Sequence, residues 1–328
     1  MYILKKSLIS LTLGIALVLF CAGQFGSDSS LSTIQDAQAE DPDQLVFIFQ
    51  KQKDPARMRA EADELAKDLS EILGISVKAQ VPGDYAASVQ ALVSGTADIA
   101  YVDSIAFILA NRDGGANILL AEERVDSTGK ARTDYDSVFV VRKDSPLNSF
   151  EDLKSKAGEL SIAFTSPTST SGYVMPYRRF VSEGVLNSGQ DVREVFNKVS
   201  FAGSYAQALE QVVLGRADVC AVSHYTVEGS GAANHISAES LEQLRILDRT
   251  PGVPTHVIAS RKGLSVKLQE RIQNALLELA TKKPDLLSDV YGAARFVKVD
   301  QRQHIAASVE ALAYLQLPAD RFVKARAK

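Results

Sequence analysis

The 328-residue chain has no tryptophan, two cysteines and four histidines. A disulfide framework and a cysteine-rich metal site are excluded, because Cys21 and Cys220 are far apart and have no further cysteine beside them. The histidines do not follow the His-x3-His spacing of a helical zinc site; they are His224, His235, His256 and His304. We therefore expect neither a metal nor another cofactor.

Basic residues show no excess: 36 Lys and Arg stand against 40 Asp and Glu, a net charge of −4. This balance argues against a general nucleic-acid-binding protein. The single long apolar run lies near the start, which excludes a membrane protein with several spans. Because the nucleophile elbow, the phosphate-binding loop and the His-Glu-x-x-His motif are missing, we expect no enzyme. A catalytic Ser/His/Asp set assembled only by folding stays an alternative.

Residues 1–39 have the pattern of an export signal. Two lysines precede an apolar run at residues 7–22, which is short for a spanning helix, and an Ala-Gln-Ala cleavage site follows at residues 37–39. Lipid attachment at Cys21 is a less favoured alternative, because Phe20 precedes it instead of a small residue. An uncleaved anchor ranks third. All three alternatives place the rest of the chain outside the cytoplasmic membrane, so we predict a periplasmic protein.

A string of alternating strands and helices occurs twice, with Tyr85 and Tyr205 at matching places. Each copy contains Tyr-Ala-x8-Gly-x-Ala-Asp followed by an apolar strand. An ordinary turn with glycine as the helix C-cap would explain each copy, but not their agreement. Alternating units predict an α/β fold with mostly parallel sheets flanked by helices, and two related copies predict two lobes with a cleft between them.

The chain crosses between the two lobes at two places. We expect lobe one to comprise residues 44–140 and 251–328, and lobe two residues 141–250. Two crossings between lobes form a hinge, which permits closure on a ligand. Ligands of such sheets bind beyond the carboxyl ends of the strands, so the loops that follow the strands are the candidate site.

The strongest chemical signal is a hydroxyl-rich segment at residues 165–172 (TSPTSTSG), between a predicted strand and a predicted helix. The free N–H groups at a helix start, together with Ser and Thr hydroxyls, suit an oxyanion. An ordinary N-cap is the alternative, but one residue would satisfy it. We favour an anion site that includes Ser169, Thr170 and Ser171.

Further candidates end predicted strands or begin predicted helices in both lobes; they are Tyr85, Tyr101, Asp103, Ser104, Tyr205 and His224. The tyrosines offer phenolic donors across the cleft, or pack in the core. Asp103 either accepts a proton-bearing ligand oxygen or caps the next helix, and His224 is either a ligand or a polar rim residue. We interpret Glu122 and its neighbour Glu123 as a solvated face.

Five segments together resemble the periplasmic phosphonate/phosphite and phosphate-binding proteins of ABC transporters. They are LVFIF with FQKQKDP, GDYAASVQALVSGTADIAYVDSIAF, VVRKDSPLNSFEDLKSK, SPTSTSGYVMPYRRF and FAGSYAQALEQVVLGRADVCAV. The likeness extends over about residues 45–296. It implies a two-lobed type II periplasmic binding-protein fold with a hinged cleft. It also implies that Ser169, Thr170 and Ser171 hold the phosphorus oxyanion, with Tyr85 from the facing lobe.

The chain departs from this family at the pocket. Members often have Gly-Ser-His-Glu where this chain has Gly-Ser-Tyr-Ala at residues 203–206. A glutamate there would suit an ammonium group, so we expect a ligand without an amine: phosphite, methylphosphonate or phosphate, in that order. Tyr101 also replaces a frequent tryptophan, and Asp103-Ser104 replaces Gly-Pro or Gly-Asn, so the back wall differs.

The resemblance implies a monomeric binding subunit that closes on its ligand and docks on a membrane permease, while a separate ATPase powers import. Two other classes stay open: a sensor that reports ligand to a membrane receptor, and a periplasmic enzyme on the same fold. Within the binding class, another small anion such as a sulfonate is the alternative ligand.

Overall fold

The computed structural model describes residues 42–126, 128–229 and 231–316. The expected signal peptide at residues 1–39, with its cleavage site and Cys21, lies outside the described residues, as does the end of the expected lobe one at 317–328. Within the described residues, no helix combines the length and the apolar character needed to cross a membrane.

Twelve strands are described: β1 (Gln44–Phe49), β2 (Ser76–Gln80), β3 (Ile99–Val102), β4 (Asn117–Val125), β5 (Ala131–Arg132), β6 (Asp134–Arg142), β7 (Ser161–Phe164), β8 (Lys198–Phe201), β9 (Val219–Ser223), β10 (Leu244–Pro254), β11 (Val257–Ser260) and β12 (Arg295–Val297). The α-helices described are α1 (Pro55–Leu73), α2 (Tyr85–Ser94), α3 (Ser104–Gly114), α4 (Phe150–Lys156), α5 (Met175–Ser182), α6 (Tyr205–Val213), α7 (Ala238–Leu241), α8 (Val266–Lys282), α9 (Pro284–Tyr291) and α10 (Gln301–Leu315). Short helical turns lie at Ala157–Glu159, Thr170–Val174, Val192–Glu194, His224–Thr226 and Ala232–Asn234.

The strands form two sheets, one in each lobe. The sheet of lobe one has the order β12-β4-β11-β3-β1-β2, with β5 paired to β4, and the sheet of lobe two has the order β10-β6-β9-β7-β8. Strands β1, β2 and β3 run parallel, as do β7, β8 and β9, with β2 and β8 at the edges of their sheets. The side chains of β1, β3, β7 and β9 are largely buried because helices cover these strands, so the four strands have mostly apolar sequences. The two-lobed α/β fold expected from the sequence is confirmed.

The repeated motif forms the same unit in both lobes. Tyr85 begins α2 and Tyr205 begins α6, each after an N-cap side chain that accepts a backbone N–H. Gly95 and Gly215 follow these helices with φ of 74° and 64°, a left-handed conformation that favours glycine. The chain then enters β3 or β9. Both tyrosines therefore lie at the N-terminus of a helix that follows an edge strand, β2 or β8, and leads to a strand inside the same sheet.

Sheet pairing corrects the expected lobe boundaries. Strand β6 pairs with β9 in the second sheet, so residues 134–140 belong to lobe two and not, as expected, to lobe one. Strand β10 pairs with β6 as far as Pro254, so the return to lobe one comes just before β11. The expectation was wrong because an apolar run reveals a strand but not the sheet in which the strand pairs.

The C-terminal helices also divide differently from the expectation. Helix α8 packs on α1 of lobe one, as expected for the segment after residue 251. Helix α10 instead packs on both α3 of lobe one and α5 of lobe two. Ser308 on α10 contacts Ser104 at 2.7 Å between their hydroxyl oxygens, and Glu310 forms an ion pair with Arg178 of α5. The assignment of all residues after 251 to lobe one is therefore wrong for α10.

Candidate anion site between the lobes

The hydroxyl-rich segment forms a π-helical turn at Thr170–Val174, directly before α5. Ser169 is its N-cap, and the Ser169 side chain accepts the Gly172 N–H at 3.1 Å. The Val174 N–H reaches back five residues to the Ser169 carbonyl, the hydrogen bond of a π turn. π-helical turns are rare in proteins, and those that occur often lie at functional sites. In this turn the Thr170 N–H and hydroxyl meet lobe one, whereas the Ser171 hydroxyl points into lobe two.

Ser171 is the centre of a buried group of hydroxyls. Its Oγ lies 2.8 Å from the Tyr205 hydroxyl, 2.7 Å from Ser223 Oγ and 3.4 Å from the Tyr135 hydroxyl. We call Tyr135, Ser171, Tyr205 and Ser223 the hydroxyl cluster. All four are buried, and all belong to lobe two. The Ser137 hydroxyl fixes the turn from behind by donating to the Ser171 carbonyl at 2.6 Å.

Tyr85 faces this cluster from lobe one. Its side chain is 1% exposed, and its hydroxyl has no hydrogen-bond partner among the described residues. Burial raises the pKa of Tyr85 well above its ordinary value, and the neighbouring Tyr205 and Asp103 raise it further. The phenol therefore stays protonated and keeps a hydrogen to donate. A buried donor without an acceptor is costly, unless a bound group accepts its hydrogen.

Thr170 and Asp103 connect the lobes. The Thr170 N–H donates to the Asp103 carboxylate at 3.2 Å, and Thr170 Oγ1 accepts the Ile105 N–H at 3.1 Å. Ser104 Oγ is 3.2 Å from Thr170 Oγ1. Two helix starts, one from each lobe, thus meet at these residues. We call Asp103, Ser104, Ile105 and Thr170 the interlobe bracket.

Asp103 also caps α3, since its carboxylate accepts the Ala106 N–H at 2.8 Å. Burial raises the pKa of Asp103, although the N–H groups of Ala106 and Thr170 oppose this by stabilising the charged form. The cap that the sequence offered as an alternative is therefore present. The carboxylate also lies close enough to Tyr85 and Tyr205 to raise the pKa of both phenols.

The predicted site residue Tyr101 points elsewhere. Its hydroxyl donates to Glu122 at 2.7 Å, at the back of lobe one. Glu122 is fully buried, so the expectation of a solvated face there was wrong. Burial alone would raise the pKa of Glu122, but the adjacent Arg124 guanidinium and His256 lower it, and the carboxylate is charged. Side chains alternate in direction along β4, and this alternation points Glu122 inward. Because a charged residue is typical of the surface, the sequence did not indicate this burial.

His224 lies at the rim. Its Nδ1 accepts the Asp136 N–H at 3.1 Å, and burial lowers the pKa of His224 below its ordinary value. The ring lines a cavity of about 750 Å³ between the lobes, outside the hydroxyl cluster. The structure thus brings Tyr85, Ser171 and Tyr205 together, and leaves His224 outside them.

Four residues beside the cluster were missed by the prediction: Gln52, Tyr135, Tyr225 and His256. Gln52 lies in the loop after β1, which was a candidate loop, and its side chain contacts both His256 Nε2 and the Tyr225 hydroxyl. Tyr135 and His256 stand at or before the starts of β6 and β11. Since these strands are antiparallel to their neighbours, their starts lie beside the carboxyl ends of the parallel strands. The sequence signal that could have identified Tyr135 and His256 is an aromatic or polar residue directly before an apolar run.

The described residues contain no group of three or more His, Cys, Asp and Glu side chains placed to hold a metal ion. The donors that converge here are neutral hydroxyls and backbone N–H groups, which suit an anion.

Two lobes of related topology, two crossing segments and buried donors where the lobes meet define a two-lobed binding protein. The sequence also matches a family described as "ABC transporter, phosphonate, periplasmic substrate-binding protein" over residues 47–304. The chain belongs to this family of periplasmic substrate-binding components. The resemblance stated from the sequence is thereby confirmed.

Curated relatives support the assignment. The phosphonates-binding periplasmic protein of Escherichia coli K12 is 26% identical over 251 residues, which cover 76% of this chain and 70% of that protein. The phosphate-import protein PhnD of Mycolicibacterium smegmatis is 27% identical over 195 residues, covering 59% of this chain and 58% of that protein. These relatives are named for binding and import, not for catalysis.

A third relative also has a solved structure. The probable ABC transporter phosphite binding protein PhnD1 of Prochlorococcus marinus is 27% identical over 251 residues, 73% of this chain and 79% of that protein. The structure of PhnD1 in complex with methylphosphonate superposes with a TM-score of 0.71 at 21% identity, covering 84% of this chain and 100% of that one. Because the sequence identity is only 21%, this structural similarity shows a shared fold and nothing about the ligand.

Proposed function

We propose that this chain captures phosphite, methylphosphonate or phosphate, in that order of preference, between its two lobes for an ABC importer. The observation that carries the proposal is the Tyr85 hydroxyl, a buried donor of lobe one without an acceptor, which faces the hydroxyl cluster of lobe two. An oxyanion between them would accept hydrogens from both lobes. The names of the relatives, which cite phosphonates, phosphite and phosphate, support the same ligand class.

Neutral donors set the binding chemistry. Ser171, Tyr205 and Tyr85 would donate to ligand oxygens, and the N–H groups at the start of the π-helical turn would add to the positive potential. Asp103 would accept from a protonated ligand oxygen, which removes its repulsion toward the anion. Ser169 and Thr170 would donate their hydroxyl hydrogens as well, and they also shape the site, because Ser169 accepts the Gly172 N–H within the turn and Thr170 accepts the Ile105 N–H of the interlobe bracket.

The charge pattern argues against an amine on the ligand. Of the two buried carboxylates described near the cluster, Glu122 forms an ion pair with Arg124, and Asp103 accepts two backbone N–H groups. An ammonium group would need an acidic partner in this low-dielectric region. Ala206 stands where relatives often have glutamate. Aminoethylphosphonate is therefore expected to bind more weakly than methylphosphonate.

The remaining expectations follow from this role. After removal of residues 1–39, the chain would act in the periplasm as a monomer. Ligand would draw the lobes together, because it contacts both of them only in the closed form. The closed form would dock on a membrane permease, which releases the ligand for transport.

Calorimetric titration of the purified chain tests the proposal. Phosphite, methylphosphonate, phosphate, aminoethylphosphonate, sulfate and an alkylsulfonate are compared at one pH. We expect tight binding of the first three. Tight binding of sulfate or the sulfonate alone would replace the phosphorus ligand with another anion. Ligand recovered chemically changed after long incubation would support a periplasmic enzyme.

Two substitutions locate the site. Ser171→Ala and Tyr85→Phe each remove one donor to a charged ligand, which is worth about 1.5–3 kcal/mol, so binding should weaken roughly 10- to 150-fold. Ser182→Ala, at an exposed position near the end of α5, is the matched control and should bind normally. Unchanged affinity in Ser171→Ala and Tyr85→Phe would place the ligand elsewhere.

A further inference from the structure

The hydroxyl cluster and the 750 Å³ cavity share a wall. Tyr135, His224, Tyr225 and His235 line the cavity, and Tyr135 also contacts Ser171. We call these four residues the aromatic partition. The Tyr225 ring is its centre, because it packs against Tyr135 at 5.3 Å, His224 at 5.8 Å and His235 at 6.0 Å between ring centroids.

Tyr225 is held from both sides of the cleft. It belongs to lobe two, and its ring also packs edge to face on Tyr205 of the hydroxyl cluster, with centroids 6.3 Å apart. Lobe one supplies the Arg124 guanidinium, 3.7 Å from the ring centroid, and the Gln52 side chain, whose oxygen accepts from the Tyr225 hydroxyl at 3.3 Å. Arg124 itself lines the cavity, so the Tyr225 ring lies between the cavity side and the hydroxyl cluster.

Arg124 is a firm support for this ring. Its guanidinium is paired with the buried Glu122 and donates to the Gly292 carbonyl at 3.3 Å. A guanidinium over the face of a tyrosine is attracted to the ring, and this attraction becomes stronger where water is excluded. When the lobes are closed, the ring is therefore fixed and does not swing aside for a larger ligand.

Resting on the proposed function, we propose that Tyr225 is the residue that limits the substituent on phosphorus to hydrogen, hydroxyl or methyl, and that Arg124 is its positioning residue. The space for a larger group exists on the far side of the ring, in the 750 Å³ cavity. Removing the ring would join that cavity to the hydroxyl cluster. The chain would then accept phosphonates with bulky aromatic substituents while still holding their anionic group through Ser171.

Phenylphosphonate is the sharpest probe, because its ring can occupy the volume that the Tyr225 ring leaves and lie beneath Arg124. The experiment measures Kd for methylphosphonate and phenylphosphonate by calorimetry on the full chain and on Tyr225→Ala, Tyr225→Leu and Tyr225→Phe. Tyr225→Phe keeps the ring and removes only the hydroxyl. Tyr177→Leu, a change at a buried lobe-two tyrosine whose hydroxyl bonds the Asn187 and Gln190 carbonyls, is the control for general loss of packing.

We expect the unchanged chain, Tyr225→Phe and Tyr177→Leu to prefer methylphosphonate strongly. In Tyr225→Ala the ratio of the two Kd values should move at least about tenfold toward phenylphosphonate, the scale of one well-filled apolar group. Tyr225→Leu supplies the same comparison if the alanine variant does not fold. Methylphosphonate binding with an unchanged ratio in both variants overturns this inference alone. An unchanged chain that binds neither phosphonate, nor phosphite or phosphate, overturns the proposed function and this inference with it.

Discussion

Gly172 stands at the tightest point of the π-helical turn. A Cβ atom there would lie 2.3 Å from Thr165 Oγ1 and 2.8 Å from Ser169 Oγ, closer than real side chains approach. We expect Gly172→Ala to destabilise the fold by about 1–3 kcal/mol through overpacking and to weaken anion binding by displacing Ser171. Urea unfolding and calorimetry test both effects. Gly158→Ala, whose nearest contact would be 3.7 Å, is the control, and equal losses in the two variants would contradict this account.

His235 makes stability depend on pH. Burial lowers the pKa of His235 to about 3, with Lys53 and Arg124 as positive neighbours. The unfolded chain takes up a proton near pH 6.5 that the folded chain does not, so the free energy of unfolding falls as the pH drops. Between about pH 7.5 and about pH 5 this residue should remove about 2 kcal/mol of stability.

The variant His235→Gln isolates this contribution, because glutamine keeps a polar side chain but does not titrate. Burial also lowers the pKa of His224 and His304, and their effects are common to both proteins. Urea unfolding at the two pH values should show a shallower loss in His235→Gln. If both proteins lose stability equally, His235 takes up its proton in the folded state as readily as in the unfolded chain.

Composition indicated the segments from which the candidate site is proposed. A run of hydroxyls before a helix predicted the turn with Ser171, and the repeated motif predicted two tyrosines at helix starts. The sequence could not predict the different contacts of Ser169, Thr170 and Ser171. These contacts depend on the direction of each hydroxyl, which the π-helical turn determines. The sequence did not indicate that the Tyr101 hydroxyl donates to Glu122, because a charged residue such as Glu122 is typical of the surface.

At the scale of elements, the apolar strands were readable from the sequence, but the direction and the sheet of the antiparallel ones were not. Apolar runs bounded by turn residues identify β1, β3, β7 and β9. Strand direction depends on which neighbour a strand meets, and this information is spread over distant parts of the chain. Strands β6 and β11 enter the sheets antiparallel, and their starts bring Tyr135 and His256 to the site. A rule that considers only carboxyl ends of strands therefore misses both residues.

The interlobe bracket joins the start of α3 to the π-helical turn. Thr170→Val would keep the shape of the side chain but leave the buried Ile105 N–H without its acceptor, which costs about 1–3 kcal/mol. Because this contact crosses between the lobes, the loss should fall on the closed form and weaken ligand binding about tenfold. Thr170→Ser keeps the hydroxyl and should bind almost normally. Equal affinities of the Val and Ser variants would show that the bracket does not stabilise closure.

At the scale of the molecule, α10 ties the two lobes on the side of α3 and α5. The expected lobe boundaries placed α10 in lobe one, but the helix packs on elements of both lobes. Its Ser308 hydroxyl meets Ser104 of the interlobe bracket, so hydroxyls from α10, α3 and the π-helical turn form one chain. Opening the cleft must therefore separate Thr170 from Ser104 and Ile105, while α10 moves with one lobe or bends between them.

Ligand-driven closure is the molecular consequence that scattering can measure. A ligand that accepts hydrogens from Tyr85 of lobe one and Ser171 of lobe two favours the closed form by its differential affinity for that form. We expect the radius of gyration from small-angle X-ray scattering to fall when saturating methylphosphonate is added. Tyr85→Phe should bind more weakly and, at saturation, close less completely, because the ligand loses a contact to lobe one. Identical scattering with and without saturating ligand, in a chain that binds it tightly, would mean that the two crossing segments do not act as a hinge.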